Sequence, residues 1–257
     1  MAYVQENTTI DIKGNRIGKS EGRDFSSLTY PIRYQHTHIH KVSHAWLNEQ
    51  RILCRGADKK VVQAYKLLRT QILKKLHDNG WNSIGIIGAR VGQGSTLTAI
   101  NLAISIALDH RCTALLADFN LRDPSIHRYF DYQPALGVSD YIENGASISD
   151  MLFTPNIESL VVLPGREPIE DSAESLVMPT VRNLVSELTG RYSQRIIIYD
   201  LPPVLESDDV LAFMDQFDVG LLVIEEGVTK KSDVARVAEL LGDKPILGTV
   251  LNNSKAL

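Results

Sequence analysis

The sequence predicts an α/β protein with a doubly wound, mostly parallel sheet between two layers of helices, which is a three-layer sandwich. Short apolar runs alternate along the chain with segments of helix length, the order expected of a parallel sheet. The runs are continuous in Ile, Val and Leu, as in strands that are covered on both faces. Glycine or acidic residues follow four of the runs, and sheets of this kind bind ligands beyond the carboxyl ends of their strands.

The elements follow in order after a polar segment, residues 1–43, which is predicted to form a flexible arm before one domain at 44–257. Apolar residues at spacings of three and four give a helical pattern from Ala45 to Leu76. Strands are predicted at Ser83–Ile87, Thr113–Ala117, Leu160–Leu163, Arg195–Tyr199, Val219–Ile224 and Ile246–Leu251. Later helices are predicted at Thr96–Asp109, Val181–Leu188 and Ser232–Leu241.

Composition limits the classes of function. A formal net charge of -4 argues against a surface dedicated to nucleic acid or to an anionic membrane. No stretch approaches ~20 uninterrupted apolar residues, and the polar start lacks the apolar segment of a signal peptide. Two isolated cysteines, Cys54 and Cys112, are typical of a reducing compartment. We expect a cytoplasmic protein with no nucleic-acid partner and no direct membrane insertion, which a partner recruits to the inner membrane.

The stretch GARVGQGSTLTAINLA, residues 88–103, has the pattern of a phosphate-binding loop that leads into a helix. Such a loop needs glycines that bring backbone N–H groups to the phosphates, a lysine on the β- and γ-phosphates, and a hydroxyl on Mg²⁺. Thr96 stands at the hydroxyl position, but Ser95 stands at the lysine position. A tight strand–helix turn is the plain alternative. The candidate nucleotide-binding residues of the loop are Gly92, Gln93, Gly94, Ser95, Thr96 and Leu97.

Two further runs carry an acidic residue at the end of a predicted strand. LLADFNLRDP (115–124) contains Asp118, and IIIYDLPPVL (196–205) contains Asp200. A carboxylate at the tip of a buried strand near a phosphate loop can bind Mg²⁺ directly or through water. The alternative is that both aspartates cap the turns that follow them. Because three strand ends meet in one cleft, we predict a nucleotide site with Thr96, Asp118 and Asp200 as metal ligands.

The three runs, in this order, resemble those of the bacterial tyrosine kinases, in particular the cytoplasmic type linked to capsule and exopolysaccharide export, including exosortase-associated autokinases. The similarity covers roughly residues 60–253. It includes AYKLLRTQIL (64–73), TAINLAISIA (98–107), PSIHRYF (124–130), LGVSDYI (136–142), LPGREP (163–168) and LGTVLN (247–252).

This resemblance implies a P-loop NTPase fold of the MinD/ParA type that binds ATP or ADP with Mg²⁺. The family motifs fall on Ala89–Thr96 (Walker A), Asp118–Arg122 (Walker A′) and Asp200–Pro202 (Walker B). The two aspartates that open the later motifs take catalytic roles, and Arg122 contacts the nucleotide. The resemblance further implies tyrosine autophosphorylation, a homo-oligomer, and a membrane polysaccharide co-polymerase, the chain-length determinant, as partner.

The sequence departs from the family pattern in four places. Ser95 replaces the Walker lysine, and Asn120 replaces the second aspartate of Walker A′. The chain ends without a tyrosine cluster, and its last tyrosine, Tyr199, falls in a predicted buried strand. The family's assembly motif, E-x-x-R-x-x-R, is altered to Gln63, Lys66 and Arg69. Lys66 and Arg69 either make a subunit contact or coat the helix, and the resemblance favours the contact.

Loss of the lysine removes a central charge, because phosphoryl transfer is catalysed by positioning and electrostatics. Removing one such preorganised group costs on the order of 10²–10³ in rate. Arg90 falls where MinD-type loops carry an additional lysine, so we assign it a catalytic role that compensates in part for Ser95, against the alternative of an exposed loop arginine. Asn252 follows the last strand, where relatives contact adenine; a turn-forming asparagine is the alternative.

The predicted arm carries two further features. It contains four histidines, which are His36, His38, His40 and His44. The spacing places the first three on one face of a strand and suggests a metal site, but solvated histidines are the plain alternative. Tyr30 and Tyr34 are alternative phosphoacceptors.

Three functions are consistent with these motifs. The first is a kinase-like partner of a polysaccharide co-polymerase, a pseudokinase or weak nucleotide binder. The second is an active ATP-dependent tyrosine autokinase or ATPase. The third is a MinD/ParA-like positioning switch that dimerises on ATP.

Overall fold

Eight strands form one sheet in the computed structural model, which describes residues 37–191 and 194–254. The strands are β1 (His38–Ile39), β2 (Ser83–Gly88), β3 (Thr113–Asp118), β4 (Phe153–Thr154), β5 (Leu160–Leu163), β6 (Arg195–Asp200), β7 (Val219–Glu225) and β8 (Ile246–Asn252). Their order across the sheet is β1-β4-β5-β3-β6-β2-β7-β8. Neighbouring strands are parallel except β4 and β5, which are antiparallel.

Helices connect the strands. They are α1 (His44–Glu49), α2 (Lys59–Asn79), α3 (Ser95–Ala107), α4 (Ile126–Tyr129), α5 (Val138–Asn144), α6 (Ile148–Met151), α7 (Ser172–Leu176), α8 (Pro179–Gly190), α9 (Asp209–Phe213) and α10 (Lys231–Leu241). A short 3₁₀ helix, Met214–Gln216, follows α9. In the part of the chain that the structure describes, no helix combines the length and the apolar character that a bilayer crossing requires.

Two separate apolar cores lie on opposite faces of the sheet. Leu116 and Ile198 point into the core formed with α2 and α3. Their neighbours Leu115 and Ile197 point into the other core, formed with α8, α9 and α10. Because side chains alternate along a strand, continuous apolar runs supply both cores at once. The three-layer α/β sandwich predicted from the sequence is confirmed.

The six predicted strands are all present, and none extends more than one residue beyond its predicted end. The two-residue strands β1 and β4 have no counterpart in the prediction, because two residues show no periodicity. β1 lies in the described part of the predicted arm, where it pairs with β4 and His40 N donates to the Thr154 carbonyl at 2.9 Å. Residues 1–36 of that arm lie outside the described residues.

The continuous helical pattern predicted from Ala45 to Leu76 is wrong in one respect, since it divides into α1 and α2. Arg51 and Gly56 take φ values of +58° and +101° between the two helices, and a helix cannot continue through such residues. The Asp58 side chain then accepts a hydrogen bond from Lys60 N at 2.8 Å and caps α2.

Candidate nucleotide site

The register of the three central strands brings the predicted motifs to one edge of the sheet. Asp118 pairs directly with Asp200 across β3 and β6, and Asp200 pairs with Ile86 of β2. β2 ends at Gly88, two residues later, so the glycine-rich loop begins beside both aspartates. Val204 N donates to the Gly88 carbonyl at 3.0 Å, which fixes the segment after β6 against the start of the loop. The convergence predicted from the sequence is therefore present.

The loop has the backbone of an anion site. Gly92 and Gly94 adopt φ values of +81° and +82°, the left-handed region that favours glycine. Gly94 is the N-cap of α3, and no side chain caps this helix. The first N–H groups of α3 are thus available to a ligand, and the helix dipole favours a negative charge there.

Ser95 is directed back toward the base of the loop. A Cβ placed on Gly88 would lie 3.1 Å from the Ser95 hydroxyl oxygen. Ser95 supplies a hydroxyl but no positive charge, so the phosphate side of the loop depends on backbone dipoles. Thr96 and Leu97, the next residues of α3, are half-buried.

Asp118 is fully buried beside the loop. One carboxylate oxygen accepts hydrogen bonds from Ser125 N at 2.9 Å and Ile126 N at 3.0 Å, so the alternative role of capping a turn is also fulfilled. The other oxygen has no partner of normal geometry among the described residues. Gly165 closes over the carboxyl group, since a Cβ there would lie 3.4 Å from its carbon. Burial raises the pKa of Asp118 to about 7, and the backbone N–H donors oppose the rise.

Asp200 is equally buried, and neither of its oxygens has a hydrogen-bond partner of normal geometry among the described residues. Burial and the neighbouring charge of Asp118 raise the pKa of Asp200, while the nearby Thr96 hydroxyl opposes the rise. Two enclosed carboxyl groups cannot both ionise without a compensating positive charge.

This oxygen set fits a hard divalent cation. Two carboxylates and the Thr96 hydroxyl are ligands that Mg²⁺ accepts, and Mg²⁺ usually keeps several waters and binds few protein groups. A bound cation would satisfy the three unpartnered oxygens of Asp118 and Asp200. The residues therefore fit the magnesium that the motifs imply, with ADP or ATP phosphates at the loop. Within residues 37–191 and 194–254, no group of three His, Cys, Asp or Glu side chains offers an alternative metal site.

Arg90 extends away from the loop backbone to α10. Its guanidinium donates to both carboxylate oxygens of Asp233, at 2.9 Å and 3.3 Å. To contact a phosphate, as its predicted catalytic role requires, it would have to leave this ion pair. Asp233 was not among the residues predicted for the site, although an acidic residue in the first turn is typical of a helix start: Asp233 also accepts from Lys230 N at 3.2 Å.

Arg122 is also engaged with carboxylates. Its Nε lies 2.9 Å from Asp209, which is fully buried, and a terminal nitrogen lies 3.3 Å from the exposed Asp208. The sequence predicted a nucleotide contact for Arg122 and did not identify these partners, because they lie 86 and 87 residues away at the start of α9. Asn120, at the altered Walker A′ position, accepts from Asp123 N at 3.4 Å within its own turn.

A set of side-chain hydrogen bonds joins the loop to the far side of the cleft. The buried Gln93 side chain accepts from Arg90 N at 3.1 Å and donates to the Thr229 hydroxyl at 2.7 Å. Asn252 donates from Nδ2 to the Gln93 carbonyl at 3.0 Å. The same amide lies against Gly94, where an added Cβ would be 2.1 Å away. Asn252 therefore lies against the loop with its amide bound to the protein backbone, and its predicted contact with adenine stays a prediction.

The remaining sequence candidates lie elsewhere. His38 and His40 pack on the ring of Tyr132, with ring centres 5.7 Å and 4.9 Å apart, while His36, Tyr30 and Tyr34 lie outside the described residues. Tyr199 is fully buried, as predicted, and burial raises its pKa.

The altered assembly motif on α2 is used inside the chain. Arg69 donates to the Ser105 carbonyl at 2.9 Å and lies 3.8 Å from Asp109, whereas Lys66 is exposed. Arg69 therefore contacts the end of α3 within the chain, and the subunit contact that the resemblance favoured stays a prediction.

Comparison with known proteins gives a consistent set of relatives. Tyrosine-protein kinase YwqD of Bacillus subtilis is 29% identical over 195 residues, which cover 75% of this chain and 81% of YwqD. Tyrosine-protein kinase CpsD of Streptococcus pneumoniae serotype 4 is 28% identical over 197 residues, or 76% of this chain and 85% of CpsD. The putative tyrosine-protein kinase EpsB of Ralstonia solanacearum is 26% identical, but the match covers 22% of that protein and 66% of this chain. No protein-family model matches the chain.

Solved structures show the same fold. The kinase domain of VpsO is 25% identical with a TM-score of 0.66, and the match covers 77% of this chain and 98% of that domain. The chimeric protein CapA2B2 has a TM-score of 0.72 at 23% identity, covering 84% of this chain and 93% of the chimera. The cell-division ATPase MinD of Pyrococcus furiosus has a TM-score of 0.56 at 23% identity, covering 68% and 74%. The fold is therefore that of the P-loop NTPases.

Proposed function

We infer that the chain belongs to the bacterial tyrosine kinase family, and we propose that it binds ADP or ATP with Mg²⁺ but transfers phosphate weakly or not at all. In this proposal it is a cytoplasmic, kinase-like component of a capsule or exopolysaccharide system. Its domain would comprise residues 44–257, preceded by the segment 1–43.

One observation carries the proposal: two buried carboxyl groups suited to a cation lie side by side, whereas the loop has no charge at the lysine position. Asp118 and Asp200 are paired across neighbouring strands with unpartnered oxygens, as a cation site requires. Ser95 leaves the developing charge on a transferred phosphate without its usual counter-charge. Binding through backbone N–H groups and a cation remains available, while transition-state stabilisation is reduced.

The proposed partner is a membrane polysaccharide co-polymerase. Support comes from relatives such as EpsB, in which a region like this chain is part of a protein several times longer. A separate chain of this kind would act on its partner by binding, in a state set by the nucleotide, and would form a homo-oligomer. The fold supports this proposal because the glycine-rich loop, Asp118 and Asp200 meet at one edge of the sheet.

Restoring the lysine tests the central claim. We expect the parent protein to bind ADP and ATP with Mg²⁺ in calorimetric titration and to form little phosphotyrosine with labelled ATP. Ser95→Lys should bind ATP about tenfold more tightly and hydrolyse it measurably faster, because a charged hydrogen bond to phosphate contributes roughly 1.5–3 kcal/mol. Asp200→Ala in the Ser95→Lys background should remove the gain in hydrolysis, which shows that it comes from this site.

Two outcomes would contradict the proposal. Rapid phosphotyrosine formation by the parent protein, lost in Asp118→Ala, would make it an active autokinase. No binding of either nucleotide with Mg²⁺, by a protein shown to be folded, would remove nucleotide from its function. Dimerisation on ATP without phosphotyrosine would instead favour the positioning switch.

A further inference from the structure

Arg90 is a cationic residue of the phosphate loop, and its guanidinium is directed toward α10. The guanidinium makes a two-point contact with Asp233, at 2.9 Å and 3.3 Å. The Arg90 side chain remains half exposed, at 50%, so it has room to move once it is released. Asp233, by contrast, is 10% exposed and is fixed in place as the third residue of α10.

The direction of Arg90 is set by the same contacts that join the loop to the turn before α10. Arg90 N donates to the Gln93 side chain, which in turn donates to Thr229. Thr229 also accepts from Glu225 N at 2.9 Å, so this turn is itself fixed. The loop and the start of α10 therefore form one hydrogen-bonded unit, and Arg90 is placed within reach of Asp233.

The other groups named at this edge do not replace the positive charge of Arg90. Ser95 contributes no charge, and Arg122 is engaged with Asp208 and Asp209. The buried Asp118 and Asp200 lie at the edge where the phosphates would bind. A polyphosphate without a cation would thus meet two carboxyl groups, while Arg90 and Arg122 are both engaged elsewhere. Its negative charge would have no counter-charge from either arginine.

We propose that Asp233 withholds Arg90 from the phosphate site, and that this pairing makes the pocket select cation-bound nucleotide against metal-free nucleotide. Asp233 is thereby a specificity-determining residue of the nucleotide site, although it does not contact the nucleotide. The inference rests on the proposed function, since it concerns the same pocket.

Asp233→Asn tests this directly. The amide keeps an oxygen that can accept the capping bond from Lys230, but it removes the charge that attracts Arg90. ADP affinity is measured by calorimetry with excess Mg²⁺ and with excess EDTA. We expect the parent protein to bind ADP at least about tenfold more weakly in EDTA, and Asp233→Asn to recover about tenfold of this loss, the effect of one charge-assisted contact to phosphate.

Two further variants make the result specific. Asp233→Asn combined with Arg90→Ala should lose the recovery, because the released guanidinium is absent. Glu239→Gln, which breaks the exposed pair between Arg236 and Glu239 on the same helix, changes net charge equally and should leave both affinities unchanged. Far-ultraviolet circular dichroism shows that each variant is folded.

Each result decides the matter. Equal ADP affinity in Mg²⁺ and EDTA for the parent protein, no gain in Asp233→Asn, or a gain that persists without Arg90 would each overturn the inference. No ADP binding by the parent protein with Mg²⁺ would overturn the proposed function. In that case, metal-free ADP binding by Asp233→Asn that depends on Arg90 would still support the role of Asp233. If Asp233→Asn also fails to bind metal-free ADP, both the proposed function and this inference are refuted.

Discussion

Two loop glycines share a backbone conformation but differ in their surroundings. Gly92 and Gly94 have φ values of +81° and +82°, yet a Cβ on Gly92 meets nothing within 4 Å, whereas one on Gly94 would lie 2.1 Å from Asn252. Replacement by alanine should cost about 1–2 kcal/mol at either position from backbone strain. Gly94→Ala should cost about 1 kcal/mol more, because Asn252 must leave Gln93.

Urea unfolding of the two alanine variants measures this difference. Asn252→Ala should remove the extra cost in the Gly94→Ala background, since the clashing group is then absent. Equal destabilisation by both glycine replacements would show that Asn252 does not restrict the loop.

The buried aspartates give stability a particular dependence on pH. The pKa of Asp118 is raised to about 7, and that of Asp200 is raised as well, whereas an unfolded aspartate titrates near 3.9. Between about pH 4 and pH 7 the folded protein keeps protons that the unfolded chain releases, so these groups lower stability as the pH rises. Asp200→Asn should therefore be more stable than the parent protein near pH 7, because the amide cannot ionise in its buried position.

Unfolding curves in EDTA across this range test the effect, with the difference expected to shrink toward pH 4. Asp78→Asn, a change of an exposed carboxylate on α2, should leave the slope unchanged. A parent and an Asp200→Asn protein with parallel profiles would contradict the assignment.

At the scale of elements, the segment between α1 and α2 is attached to the helix that follows the loop. The Asn101 side chain of α3 accepts from Leu53 N at 2.8 Å and donates to the Arg51 carbonyl at 3.1 Å. It is 2% exposed, so its removal leaves buried backbone groups unpaired. Asn101→Ala should lower the free energy of unfolding by about 2 kcal/mol.

Asn79→Ala is the matched control, because this amide donates to the Lys75 carbonyl at the exposed end of α2. Its effect should be within about 0.5 kcal/mol. If thermal unfolding finds both asparagines equivalent, the segment 50–58 does not depend on α3 for its position.

At the scale of the whole molecule, the contacts of Arg69 predict that the altered motif on α2 stabilises the fold. Arg69 binds the carbonyl of Ser105 near the end of α3. Arg69→Ala should lower stability by about 1 kcal/mol, and Lys66→Ala, at an exposed neighbouring position, should not. Sedimentation velocity and unfolding curves together separate a role of Arg69 in the fold from a role in assembly. If Arg69→Ala dissociates an assembly at unchanged stability, Arg69 makes a subunit contact.

The sequence by itself determined the three-layer fold, six of the strands, and the meeting of Gly94, Asp118 and Asp200 at one edge. These follow from local signals, since continuous apolar runs require cover on both faces and parallel strands present their carboxyl ends together. The sequence likewise shows the loss of positive charge at Ser95, because this depends only on the identity of one residue in a recognisable loop.

Only the tertiary structure decided the partners of the charged side chains. Arg90 binds Asp233, 143 residues away, and Arg122 binds Asp209, 87 residues away. A guanidinium can reach a phosphate or a carboxylate equally well, so its partner depends on which group the fold places within about 3 Å. The two-residue strands were also set by long-range pairing, which local periodicity does not contain.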